Sequence, residues 1–355
     1  MWMGRYGPIH SDLRKYVDGE NKPRTNLMPL DLSAECQEKP FSFDIQDGEM
    51  METYLKEVES TRIRAIQLTD LPNLLCSSQY ETVNGENGKP VILGRGGNGT
   101  AFHGRCKETD QLVTLKFENK DDPSSTSSKA LSALEECAVQ KRAFEAVQLA
   151  ESKGECVAKI PKVYGVLKLK DESEYLRAYH SYIIVTEFIG FVPNNPVALT
   201  WNKAVDLCME NDTVFDNATF ANMFCALIRT TEILVENHMM HADIKGNNIL
   251  ICIHDSKHVP YLIDFGNAFE QIETKIRIYD VDDCDWLDPY LFQGDAPTKT
   301  GDLYSLMVLI ANATDDMERM KPMADLACWY RGTTVDKCFN HSQVLLKIQH
   351  LKLHV

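Results

Sequence analysis

Apolar positions along the chain group into strand-type runs first and helix-type stripes later. Two short apolar runs at 249–253 and 259–263 flank a polar, turn-like segment at 254–258, the pattern of a β-hairpin. Further strand-type runs are predicted at 90–93, 100–105, 111–117, 160–167 and 182–189. Turn clusters separate them: Asn84 to Gly88, Glu108 to Asp110, and the charged stretch 168–180 that joins the last two runs as a hairpin. A flexible polar loop at 121–128 precedes a strongly helical segment at 129–150. Past Pro193 and Pro196 the pattern turns helical, with helices predicted at 200–211 and 215–237 and two compressed ones at 317–330 and 341–353. Phe220, Met223, Leu227, Ile228 and Leu234 form an apolar stripe that reads as core.

Residues 1–85 differ in character from the rest of the chain. Pro8, Pro23, Pro29 and Pro40 punctuate them, and few apolar clusters occur before Met50. From 48 to 68, Met51, Tyr54, Leu55, Val58 and Ile63 recur at helical spacing. The segment is expected to be an extension, partly helical or disordered, that packs on the main domain or acts as a regulatory docking segment. The main domain is expected over 86–355.

Composition narrows the class. The 355 residues are 44% hydrophobic, as suits a globular protein with a sizeable core. A net charge of -15, without a dense Lys/Arg run, speaks against nucleic-acid partners. Eleven cysteines at irregular spacing, with no C-x-x-C pair, argue for reduced thiols in a cytoplasmic or nuclear setting. The N-terminus lacks the apolar core of a signal peptide, and no apolar run reaches the roughly 18 residues of a membrane span, so no membrane association is expected. Asn-x-Thr triplets at Asn98, Asn211, Asn217 and Asn312 are accordingly expected to carry no glycan.

The candidate chemistry lies around the hairpin. His241, Asp243, Lys245 and Asn248 stand in the pattern H-x-D-x-K-x-x-N, and Asp264-Phe265-Gly266 comes directly after the second apolar run. A hairpin of that length brings Asp243, Asn248 and Asp264 into one cleft, and two acids with an amide suit a magnesium–phosphate site. Upstream, Gly94, Gly96 and Gly99, with Gly97 between them, form a G-x-G-x-x-G array that lets backbone amides fold over phosphates. In a dinucleotide-binding turn the array opens a helix. Here strands are predicted on both sides, which makes it a nucleotide-covering hairpin instead.

Taken in order, Gly94/Gly96/Gly99, Lys116, His241 to Asn248, Asp264 to Gly266 and Asp302 make residues 90 to 310 resemble the eukaryotic protein kinase superfamily, serine/threonine type. The resemblance implies an α+β, bilobal fold with a β-rich N-lobe (86–190) carrying one main helix, and a helical, shortened C-lobe (191–355). It implies ATP with Mg²⁺ (or Mn²⁺) and protein substrates. Lys116 and the glycine-loop amides anchor the phosphates, and a glutamate on the 129–150 helix pairs with Lys116. Glu135, Glu136 and Glu145 are candidates, and Glu136 is preferred because Val139 and Ala143 share its face. Asp243 accepts or orients the proton of the acceptor hydroxyl, Lys245 neutralises the transferring phosphoryl group, and Asn248 and Asp264 hold the metal. Ala101 and Leu250 sandwich the adenine, Thr186 is the gatekeeper, and backbone at Glu187 and Phe188 meets the adenine edge. Thr114, where the family usually has alanine, crowds or polarises that pocket. His241 and Asp302 brace the catalytic loop. The small-molecule kinases that resemble aminoglycoside and choline kinases share part of the pattern but usually lack the lysine.

Departures from the family matter as well. Ala242 replaces the usual Arg, which implies activity independent of activation-loop phosphorylation. Asp288-Pro289-Tyr290 stands for A-P-E, Met307 replaces a glycine, and little chain remains after Asp302, so the peptide platform is expected to be reduced. The rival reading from another class is a pseudokinase, a scaffold that binds nucleotide without turnover.

Overall fold

The computed structural model describes residues 26–27, 72–85, 88–96, 99–119, 133–168, 179–190, 198–210, 217–254, 257–270, 300–314 and 341–352. The helices expected at 48–68 and 317–330, the loop at 121–128, Gly97 and Asp288-Pro289-Tyr290 lie outside the described residues.

Among the described residues, seven antiparallel strands form the sheet of the first lobe: β1 (Asn26–Leu27), β2 (Tyr80–Asn84), β3 (Ile92–Arg95), β4 (Gly99–Cys106), β5 (Leu112–Asn119), β6 (Val163–Lys168) and β7 (Tyr179–Glu187). Their order is β1-β2-β4-β5-β7-β6, with β3 paired to β4. The period of two along each strand separates two faces. Val113, Leu115 and Phe117 join Phe102, Ile183 and Val185 in an apolar cluster on one face. Thr114, Lys116 and Glu118 therefore point to the other. The register aligns Ala101, Lys116 and Ile184 in one row across the sheet, and His103, Thr114 and Thr186 in the next.

The sheet reaches upstream of residue 86, where the sequence pattern placed an extension. Tyr80, Glu81 and Thr82 of β2 pair with Cys106, Arg105 and Gly104 of β4. Leu75 and Asn73 exchange backbone hydrogen bonds of 2.8 Å with Val166. Such a close approach needs Gly165, whose φ is +153° and where a Cβ would meet Asn73 O at 2.2 Å. The strand expected at 90–93 lies two residues later. Pro90 has no N–H to give a ladder and makes only an isolated bridge, and a bulge falls between Ile92 and Gly94.

Helix α1 (Ala133–Ser152) joins the two lobes. Ala133, Leu134 and Cys137 pack against Val166, Tyr182 and Ile184 on the cleft face of the sheet. Further along, Val139, Ala143, Val147 and Ala150 enter the large core of the second lobe. That core is built on α2 (Trp201–Glu210), which comes after the short strand β8 (Leu199–Thr200), and on α3 (Asn217–Glu236), α4 (Gly301–Thr314) and α5 (His341–Lys352). The α3 stripe is buried as its spacing predicted, and Trp201 packs on Phe220 and Phe224 at 4.9 and 5.0 Å between ring centres. Each fully buried side chain of this kind contributes about 2 kcal/mol. By length and composition Ala218–Glu236 also resembles a membrane span, but 61% of that window is buried within the protein. Strand β9 (Met239–Met240) pairs with β12 (Phe269–Glu270), and β10 (Ile249–His254) pairs with β11 (Lys257–Leu262) as the expected hairpin. Ile249, Ile251 and Leu262 anchor that hairpin in the core, which leaves the loops at its base facing the cleft.

Candidate active site

The floor of the cleft is the loop between β9 and β10. Its backbone makes a turn that ordinary residues avoid: Ala242 has φ 58°, and Asp264 on the neighbouring loop has φ 67°. Left-handed conformations at non-glycine residues cost about 1–2 kcal/mol each, so other contacts must hold them. Asp302, in the first turn of α4, supplies those contacts at Ala242. Its Oδ2 accepts the His241 N–H at 2.8 Å and its Oδ1 the Ala242 N–H at 2.9 Å. Burial pushes the Asp302 carboxyl up, while nearby His241 and the two amides oppose that shift. The Asp243 N–H donates to His241 Nδ1 at 3.3 Å, which assigns the proton to Nε2, and Nε2 donates to Ile263 O at 3.0 Å. His241 thus clamps the two loops together and stacks edge-on against Phe265, 4.7 Å between centres.

Asp243 lies at the centre of a ring of donors. Lys245 Nζ is 3.0 and 2.8 Å from its two carboxylate oxygens. Asn248 Nδ2 donates to the Asp243 carbonyl at 2.8 Å and to Oδ2 at 3.1 Å. Asn267 Nδ2 donates to Oδ2 at 3.2 Å. With Nδ2 so committed, Oδ1 is the atom that Asn248 can offer to a metal. The loop fits tightly under α2: a Cβ on Gly246 would meet Asn202 Oδ1 at 1.8 Å.

Lys116 reaches this floor from the sheet. Its Nζ is 2.6 and 2.8 Å from the two oxygens of Glu136 and 2.7 Å from Asp264 Oδ1. Of the three candidate glutamates, Glu136 is therefore the one that meets Lys116, because the buried face of α1 continues through Gln140 and Ala143. Burial disfavours the Lys116 charge, but Asp264 and Glu136 outweigh it and hold the ammonium well above the usual lysine range. Burial likewise opposes ionisation of Asp264, yet Lys116 holds its carboxyl down at about 2. Asp264 is a carboxylate at neutral pH, with Oδ2 turned away from the lysine contact.

The roof is more open. Gly94 lies on β3, whose residues are all exposed, and Gly96 comes just after it; a Cβ at either would meet nothing within 4 Å. Gly99 is buried at the start of β4, where a Cβ would meet Phe117 O at 2.3 Å. Ala101 lies opposite Lys116, and Thr114 opposite both His103 and Thr186. Leu250 is half-buried on β10, beside Thr200 and Tyr261. At Glu187 the backbone N–H donates to Lys162 O at 2.8 Å, tying the end of β7 to the residue before β6. Phe188 stacks flat on His103, 4.3 Å between centres and 17° between planes.

Sequence reasoning did not single out His103, Asn267 or Glu118. His103 Nε2 is buried without a hydrogen-bond partner among the described residues, and burial lowers the imidazole to about 4, so the ring is neutral. Its signal was a polar residue in a strand, easily read as solvent-facing. Asn267 sits directly after Asp264-Phe265-Gly266, where its contact to Asp243 depends on tertiary structure alone. The oxygens of Asn248 and Asp264 fit a hard divalent ion that keeps its remaining positions for water and phosphate.

Residues 89–322 match the family model described as protein kinase domain. Among curated proteins, mitogen-activated protein kinase kinase kinase A of Dictyostelium discoideum is 24% identical over 259 residues, 70% of this chain and 24% of that protein. Serine/threonine-protein kinase D of Synechocystis is 26% identical over 180 residues, 50% of this chain and 29% of that protein. The membrane-associated tyrosine- and threonine-specific cdc2-inhibitory kinase wee-1.3 of Caenorhabditis elegans is 23% identical over 234 residues, 64% of this chain and 28% of that protein. The matching part of the chain spans about a quarter of the length of these relatives.

Proposed function

This chain belongs to the protein kinase family, and from that premise we propose that it transfers the γ-phosphate of ATP to serine and threonine hydroxyls of protein substrates. The observation that carries the reading is Lys116 held between Glu136 and Asp264 above an Asp243 that is ringed by Lys245 and Asn248. A lysine with two anionic partners is oriented before any phosphate arrives, so little reorganisation remains. Phosphate oxygens would take over the Asp264 contact and free that carboxylate for the metal. Bound Mg²⁺, or Mn²⁺, would neutralise charge shared between the phosphoryl groups.

Asp243 would accept or orient the proton of the attacking hydroxyl, since the donors around it fix its carboxylate in one rotamer. Lys245, already on that carboxylate, would turn its charge to the phosphoryl group as negative charge builds. Phosphoryl transfer asks mainly for positioning and electrostatics, and these side chains supply both. Lys245 supports the serine/threonine assignment. Ala242 supports independence from activation-loop phosphorylation: its side chain is buried and carries no cation that a phosphate would meet, while its backbone is held by Asp302.

The test is radiolabel transfer from ATP to a generic protein substrate in Mg²⁺, with Asp243→Asn as control. Asp243-dependent labelling of serine and threonine is expected. ATP binding without such transfer would identify a nucleotide-binding scaffold, and labelling of small alcohols but not protein a small-molecule kinase. Phosphatase pretreatment is expected to leave the rate unchanged, and a large loss would refute the Ala242 reading.

A further inference from the structure

Glu118 is a buried carboxyl that none of these steps uses, 6% exposed. It stands two residues past Lys116 on β5, so the two side chains share the cleft face. Its backbone lies opposite Gly99, where β4 and β5 approach so closely that no side chain fits. Its Oε2 accepts the N–H of Ala133, the first residue of α1, at 2.8 Å in a buried hydrogen bond. The first amides of a helix have no partner inside it, and this one is satisfied from the neighbouring sheet. Glu136, the partner of Lys116, lies on the same first turn of α1. One residue therefore connects the end of the glycine array and the lysine strand through its backbone with the helix that carries the lysine's partner through its side chain.

Among the described residues the charged groups around it are few. Lys116 faces it from β5, Glu135 and Glu136 from α1, and Gly99 and Ala101 of β4 add none. Burial first, and then the Glu136 charge, push the Glu118 carboxyl up to about 8.

We propose that Glu118 is a positioning residue that pins the first turn of α1 to β5 and so keeps Glu136 within reach of Lys116. The proposal rests on the nucleotide site described under Proposed function. Near neutral pH the carboxyl is mostly protonated, and its carbonyl oxygen accepts from Ala133. Above that range it ionises, adds a second negative charge beside the Lys116–Glu136 pair, and opposes the incoming phosphates. Affinity for ATP is then expected to fall as the pH rises.

The experiment uses the full chain as wild type, Glu118→Gln and Glu118→Ala. It measures the dissociation constant for ATP with Mg²⁺ from about pH 6.5 to about pH 9, and amide hydrogen exchange at the start of α1. Glutamine keeps the acceptor and cannot ionise. It should bind within about twofold of wild type near pH 7 and lack the weakening that wild type shows at higher pH. Alanine should speed exchange at Ala133 and weaken ATP binding about tenfold near pH 7, and, having no carboxyl, it should not weaken further as the pH rises. Its rate at saturating ATP should change less than its affinity, because Asp243 is untouched. Alanine with wild-type exchange and affinity would overturn the proposal, as would a glutamine variant that keeps the wild-type pH dependence. Should wild type bind no ATP, the nucleotide reading fails, and the exchange comparison still decides whether Glu118 holds the helix.

Discussion

Gly94 belongs to the roof of the cleft and Gly246 to its floor, and a methyl group would meet nothing within 4 Å at the first but Asn202 Oδ1 at 1.8 Å at the second. The contrast extends beyond the two glycines. Strand β3 is exposed at every position, whereas His241, Ala242, Asp243 and Ile244 are all buried. The floor is fixed by the interior of the second lobe: Asp302 from below, His241 from within, Asn202 from the side. The roof takes its shape from strand pairing and leaves open space at Gly94 and Gly96. Gly99, although part of the roof motif, belongs physically with the floor, because backbone crowding excludes any larger residue there. A glycine motif therefore mixes two requirements, room for a ligand and room for a neighbouring strand, that a sequence pattern does not separate.

The sharpest way to break this contrast is Asp243→Asn. It should lower kcat by about 10³-fold or more while leaving the melting temperature close to wild type, as read by phosphate transfer and thermal unfolding. A variant that kept its rate would remove the floor from the chemistry. Asp302→Ala should cost about 3 kcal/mol in urea unfolding, since it leaves two buried amides unsatisfied and Ala242 strained. Wild-type stability would show that the left-handed turn holds itself.

At the junction of roof and helix, Glu118→Gln should stabilise the protein in a pH-dependent way. The folded-state carboxyl sits at about 8 against an ordinary value of 4.5, so the folded chain keeps a proton that the unfolded chain loses between those values. Wild-type stability therefore falls as the pH rises through that window and levels off above it. The glutamine variant should escape the fall and gain about 2 kcal/mol at the upper end, checked by melting across the range. Gly246→Ala comes next, with about 1–2 kcal/mol lost as Asn202 is displaced. Gly94→Ala and Gly96→Ala close the series, with under about 0.5 kcal/mol lost in the same unfolding assay but a several-fold rise in KM for ATP. Losses as large as that of Gly246→Ala would mean that the roof is packed after all.

Much of this arrangement is legible in the sequence where a short-range rule applies. The hairpin after the catalytic loop arises from two apolar runs around a polar turn, and α3 from its stripe of large apolar residues. The pairing of Lys116 with Glu136 rests on helical periodicity, since Glu136 shares a buried face with Ala143 while Glu145 is exposed. Strand β2 was not legible, because Glu81, Thr82 and Asn84 are polar and their burial depends on partners far along the chain. Nor was the link from Asn73 and Leu75 to Val166, which only the missing side chain of Gly165 permits. Asn267, His103 and Glu118 share the same difficulty: each is an ordinary polar residue until the fold sets it against Asp243, Phe188 or the start of α1.

Helix α1 divides its buried residues between two apolar clusters, the first turns on the sheet and the later turns in the second-lobe core. Mechanically it is a crank with a bearing at each end. If the sheet tilts over the floor, the helix must roll or slide at one bearing, and the grip of Glu136 on Lys116 changes with it. Opening of the cleft and release of the lysine are then a single motion, and whatever locks one end of the crank sets the state of the other.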